Sequence, residues 1–318
     1  MDELIQCLNT AIDDNVKLFF VTRKKNQNTK VITYNVLTSG IQPAVAHDLR
    51  INGYNQINKI QLHDHETISY GIFPQSDRYT VETINFQSVP FLKGILEDIA
   101  QPADGNRISD DKYSQVWGYI VRIENNDKTT FLFRKYAPKK LLEKDKVSCL
   151  IGRSGQFEKL NGQAIAFDSH YDAALLIESQ VPEAPEQLRN LLIFSRGSFE
   201  SFFSFIDEYR REIENNLNDL TKKQIMEDVS QIVETCSEDS RTIKKLAKIL
   251  TTQTFNSLTP KNIEKTIRDY DLPVTLNSEG KIQVVKEHIW IILRILDDDY
   301  VESKATRNKY ESRSKVKK

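Results

Sequence analysis

The residue types best suited to chemistry lie near the C-terminal end. Asp297-Asp298-Asp299 is followed by Glu302 and Lys304. Clustered carboxylates with a neighbouring lysine can hold a divalent cation and stabilise phosphoryl transfer. The spacing argues against that use, because a metal-binding carboxylate should stand on an earlier strand, well before the Glu-x-Lys. An acidic helix end followed by a loop accounts for the run more simply. His63-Asp64-His65 would place two imidazoles on one strand face, but no third ligand stands nearby, and a polar loop is the simpler reading. Gly152-Arg153-Ser154-Gly155 is a glycine-bearing turn without the Lys-Ser/Thr of a phosphate loop. Neither a catalytic constellation nor a cofactor or metal site is expected.

The cations form a clearer pattern. Arg241, Lys244, Lys245 and Lys248 fall at i, i+3, i+4 and i+7, which on a helix is one face. Lys261, Lys265 and Arg268 share a face on the next helical stretch. Arg134 and Lys135, with Lys139 and Lys140, interleave with Phe131, Phe133 and Tyr136, an arrangement that can stack bases and grip phosphates. Lys304, Arg307, Lys309, Arg313, Lys315, Lys317 and Lys318 crowd a terminus that holds a single acid, Glu311. The formal net charge of −1 hides this segregation. Surfaces of this kind bind a polyanion through phosphates, with strong salt dependence and little sequence choice.

The elements that must position these residues are α+β: a β-rich N-terminal domain, residues 1–180, then a mainly helical C-terminal domain, residues 188–318. In the first, a helix over Met1–Asp14 precedes strands at Lys17–Arg23 and Lys30–Leu37. Further strands are expected at Thr67–Phe73, Val116–Ile123, Thr129–Lys135, Ala164–Phe167 and Ala173–Glu178, with a short helix within Asn85–Gln101. The polar Glu124–Lys128 turn marks the clearest hairpin. The two prolines of Gln180–Gln187 mark the boundary. Beyond it, Leu191–Phe194 is a strand candidate. Helices follow over Ser198–Asn216, Thr221–Thr235, Arg241–Leu250 and from Pro260, with Asp239 or Ser240 and Thr259 as caps. The Phe202–Tyr209 face is expected to be core and self-association surface. A hairpin over Leu276–Val285, turning at Asn277–Gly280, would complete the order of a winged helix, although the Thr251–Leu258 connection is long for one.

An apolar share of 39% and a charged share of 28% describe a globular chain. The longest apolar runs, such as Ile289–Ile295, fall far short of a bilayer span. Three scattered cysteines imply no disulfide framework. A cytosolic protein is expected, reaching a membrane only through a partner.

Gly280-Lys281-Ile282, the run Leu293–Tyr310 and Ser314-Lys315 resemble the end of the KwaB family, the soluble component of the Kiwa bacterial antiphage system. Phe194–Phe203 is similar to that family as well. Val301 and Ala305 depart from the family pattern, which more often has Leu and a proline- or leucine-containing turn there. The resemblance implies a cytosolic effector that binds DNA, works with the membrane protein KwaA and self-associates as a homodimer or higher oligomer. The alternatives are a metal-dependent nuclease, or a non-catalytic subunit whose basic surface meets a membrane partner or anionic lipid.

Overall fold

The computed structural model describes residues 1–26, 32–41, 43–63, 65–71, 80–102, 106–108, 115–135, 157–160, 163–166, 169–178, 190–303 and 305–311. The chain divides into two compact units, Met1–Ser204 and Phe205–Lys318. The expected linker at 180–187 lies outside the described residues, as does the 152–155 turn. The strands on either side of that linker pair with each other, so both belong to the first unit.

The first unit is an eight-stranded sheet in the order β2-β1-β5-β6-β9-β10-β4-β3. Its strands are β1 (Val16–Lys25), β2 (Ile32–Ser39), β3 (Glu66–Ser69), β4 (Thr80–Asn85), β5 (Val116–Asn125), β6 (Lys128–Lys135), β9 (Ala173–Glu178) and β10 (Asn190–Ile193). All pairings in it are antiparallel except β3 with β4. A separate hairpin joins β7 (Phe157–Leu160) and β8 (Gln163–Ala166). The period-2 alternation of the strands sends Leu18, Phe20, Tyr119, Val121 and Leu132 to one face, where they pack with Leu4, Leu8, Val45, Leu49 and Ile57. Those residues come from helices α1 (Asp2–Thr10) and α2 (Pro43–Leu62).

On the other face, Phe133 meets Phe202 and Phe203 edge-on, with ring centroids 6.4 and 5.5 Å apart. Phe202 belongs to α4 (Arg196–Phe202); α3 (Leu92–Ala100) lies earlier in the chain. Gly118 makes the close approach possible: a Cβ there would stand 2.2 Å from the Phe202 ring and 2.5 Å from the Arg134 carbonyl. Both faces of β5 and β6 are therefore covered. Phe131 and Phe133, whose interleaving with cations would also suit base stacking, are core residues 6% and 1% exposed.

The expected long helix over 198–216 is split. Ser204 adopts a left-handed φ of 56° between α4 and α5 (Ile206–Lys223). Phe199, Phe202, Phe203 and Phe205 are all buried, so the phenylalanine-rich stretch is core.

The second unit contains α5, α6 (Val229–Cys236), α7 (Ser240–Thr252), α8 (Pro260–Asp269), α9 (Ile289–Leu296) and the hairpin β11 (Tyr300–Glu302) and β12 (Lys309–Glu311). Capping follows the sequence: Asp239 accepts the Arg241 N–H at the start of α7, and Thr259 accepts the Asn262 N–H before Pro260 of α8. α7 is the hub, packing against α5, α6 and α9 and burying Ile243, Leu246, Ala247, Ile249 and Leu250. Burial of each larger aliphatic side chain stabilises by about 1.5–3 kcal/mol. The expected 276–285 hairpin forms over a short stretch: an antiparallel bridge joins Leu276 to Ile282, the Asn277 N–H donates to the Lys281 carbonyl at 2.9 Å, and the Gln283 N–H donates to the Thr275 carbonyl at 3.0 Å. Asn277 Oδ1 accepts from the Glu279 and Lys281 N–H groups at 3.0 Å, Gly280 turns with φ 75°, and Ile282 also bridges to Met226.

Candidate nucleic-acid interface

The fourfold basic stripe of α7 is divided by its surroundings. Arg241, at the first turn, is exposed and paired with Asp239 at 3.0 Å. Lys244 extends over the Tyr209 ring of α5, with Nζ 5.6 Å from the centroid. Lys245, whose side chain is only 16% exposed, donates to Asp299 at 2.7 Å and also binds Asp297. Lys248 donates to the same Asp297 carboxylate at 3.1 Å.

Asp297 and Asp299 are 3% and 5% exposed, and Asp298 between them has a left-handed φ of 54°. That turn ends α9 and lets the two flanking carboxylates reach one ammonium. A buried carboxylate without a cation is costly, and the paired lysines are what make this burial tolerable. The acidic run and half of the basic stripe are thus two sides of one internal ion-pair cluster, and the ammonium groups of Lys245 and Lys248 are turned inward.

Arg134 is likewise engaged. Its guanidinium donates to Asp172 at 2.6 Å, the Lys135 N–H donates to the other oxygen of that carboxylate at 2.6 Å, and Asp172 is 1% exposed. Lys135 Nζ lies 4.8 Å from the Trp117 ring centroid, which Arg23 also approaches, at 4.5 Å. Tyr136, Lys139, Lys140, Lys304, Arg313, Lys315, Lys317 and Lys318 lie outside the described residues.

α8 differs. Ile263 is fully buried, while Lys261, Lys265 and Arg268 are all exposed on the side opposite it. The C-terminal hairpin is fastened beside this helix. Tyr300 packs on Tyr270 with centroids 5.0 Å apart, and Lys309 donates to the Asp269 carbonyl while lying 5.5 Å from the Tyr270 ring. Arg294 of α9 holds Glu311 of β12. Lys309 is thereby held at the C-terminal end of α8, where Arg268 lies 3.6 Å from the Asp269 carboxylate. Arg307, at φ 62° in the hairpin turn, is 80% exposed on its side chain and lies 3.4 Å from Glu302.

Among the described residues no group of three or more His, Cys, Asp or Glu side chains could hold a metal ion, and the His63 and His65 rings lie 6.4 Å apart. No helix among them is long and apolar enough to cross a membrane.

A family model described as "Kiwa protein KwaB-like" matches residues 113–306, more than half of the chain. The chain belongs to the KwaB-like family. It is therefore a component of the Kiwa antiphage defence system, and membership implies partner proteins within that system. Neither the curated proteins nor the solved structures contain a match to it. The matched span runs from before β5 through β11, and so includes the ion-pair cluster and α8.

Proposed function

We propose that this Kiwa component binds DNA through the phosphate backbone and acts together with a membrane-embedded partner of KwaA type, with the chain self-associated as a dimer or larger oligomer. The observation that supports DNA binding is the solvent-facing stripe Lys261, Lys265 and Arg268 on α8, beside which the C-terminal hairpin sets Lys309. Arg241 and Arg307 extend the set, and Lys304, Arg313 and Lys315 belong to it by sequence. Lys245, Lys248 and Arg134 contribute through folding, not through contact with the ligand. The reading has the protein act by binding, without a bond-breaking step of its own; plasmid incubated with magnesium or manganese ions should remain intact.

The test is a salt titration of duplex DNA binding by the wild type and by the Lys261→Ala/Lys265→Ala/Arg268→Ala variant. Three lost phosphate contacts should flatten the slope of log K against log[salt] by about 2.7. Between about 50 and 200 mM salt, the wild type should therefore lose about 40-fold more affinity than the variant does. Equal slopes would rule out α8 as the interface. Co-purification with the membrane partner in nuclease-treated extract tests the second part, and light scattering tests self-association.

A further inference from the structure

A cavity of about 450 Å³ opens on the N-terminal unit, between α2, the residue before β3, the first residues of β4, and the loop preceding β9. α2 presents Asn52, Asn55 and Lys59 to it, a single helix stripe. His65 enters from the chain just before β3, and His170 from the loop before β9. That loop is pinned to α2: the Tyr171 N–H donates to Gln56 Oε1 at 2.7 Å, and Gln56 Nε2 donates to the Tyr171 carbonyl at 3.0 Å. Ser169 Oγ lies 3.0 Å from His170 Nδ1, which orients the ring. Phe194 and Ile60 give the cavity an apolar wall.

We infer that this cavity binds a nucleoside monophosphate. Its volume lies in the range of small-molecule sites, about 300–1,000 Å³. Lys59, His65 and His170 bring three nitrogen groups of the kind that binds a phosphate, and the ammonium makes the contact charge-assisted. The apolar wall suits the flat face of a base, and the α2 carboxamides can both donate to and accept from a base edge or a ribose hydroxyl. The inference is independent of the DNA reading, which rests on α8 in the other unit.

Calorimetric titration of the full chain with the four deoxynucleoside 5′-monophosphates, the matching nucleosides and inorganic phosphate tests it. At least one nucleotide should bind saturably and more tightly than its nucleoside or phosphate alone. Lys59→Ala and His170→Ala should each weaken that binding about tenfold, the scale of one charge-assisted contact. Both positions are exposed, so circular dichroism should report an unchanged fold. Phe194→Leu should weaken nucleotide but not phosphate. No saturable binding by any nucleotide, or binding that survives the Lys59→Ala/His170→Ala double variant, would overturn the inference. Binding of phosphate alone would refute base recognition. Loss of duplex DNA affinity in these variants, with no nucleotide bound by the wild type, would make the groove a DNA track and equally overturn it.

Discussion

Lys245 and Lys265 are both lysines on basic helical stripes, yet their neighbourhoods assign them opposite tasks. Lys245→Met keeps most of the side-chain volume and removes the ammonium. It removes the contact to Asp299 now at 2.7 Å, and of the two lysine contacts to Asp297 it keeps that of Lys248, at 3.1 Å. Removing one partner of a buried pair costs about 3–5 kcal/mol, and the surviving Lys248 contact places the expected loss near the lower end, about 3 kcal/mol. Urea unfolding followed by circular dichroism should show this loss, while the salt slope of DNA binding stays at its wild-type value. Lys265→Ala should do the reverse, leaving the midpoint in place and flattening the slope by about 0.9. Replacing the cluster as a unit, with Lys245→Met, Asp297→Asn and Asp299→Asn together, should recover part of the stability, because no carboxylate then stays buried without its lysine, and Lys248, 33% exposed on its side chain, can turn to solvent. A Lys245→Met protein that loses less than about 1 kcal/mol, the ordinary effect of a point substitution, and binds DNA as weakly as Lys265→Ala would refute the division of tasks between the two lysines.

Asp239→Ala should cost about 1 kcal/mol by removing the α7 cap. The Arg241 backbone N–H, and then its side chain, hold the Asp239 carboxyl below its ordinary range. Its contribution is therefore complete above the unfolded value and fades as pH falls through the folded one. The penalty in Asp239→Ala should accordingly shrink below about pH 4, measured by urea midpoint against pH. Cys7 and Cys236 are buried, and burial pushes the Cys236 thiol up to about 12; a disulfide reagent at neutral pH should label both only after denaturant is added, and rapid native labelling of either would contradict the packing. Gly118→Ala should cost about 1–3 kcal/mol by forcing Phe202 off β5, a loss that Phe202→Leu should partly relieve; an unchanged melting temperature would refute the close approach.

The strands that alternate strongly were legible. β1, β5 and β6 begin and end within two residues of their expected bounds, and the Asp239 and Thr259 caps stand where the pattern puts them. α2 was not visible. Its buried stripe includes Arg50 and Gly53, while Ile51 lies off it, so its apolar periodicity is poor. Arg50 is tolerated there because it donates to Asp13 at 2.8 Å and to the Leu8 carbonyl at 2.9 Å, contacts no local pattern encodes. β4 was missed too. Glu82 interrupts its apolar character, and it is buried only because Arg196 reaches it at 2.6 Å. For the interface, the helix spacings found every stripe but could not separate them. Which stripe faces water depends on Asp297 and Asp299, some fifty residues from Lys245.

β10 is four residues long, yet among the described residues it is the strand that stitches β9 to β4. β3 and β4 emerge from the ribosome more than a hundred residues before the partner that docks them onto the rest of the sheet. Until residues 190–193 arrive, β4 and β9 both present unsatisfied backbone edges, each a template for pairing with another chain. A fragment cut at residue 180 would carry that hazard permanently, and should precipitate where one ending at Ser204 stays dispersed.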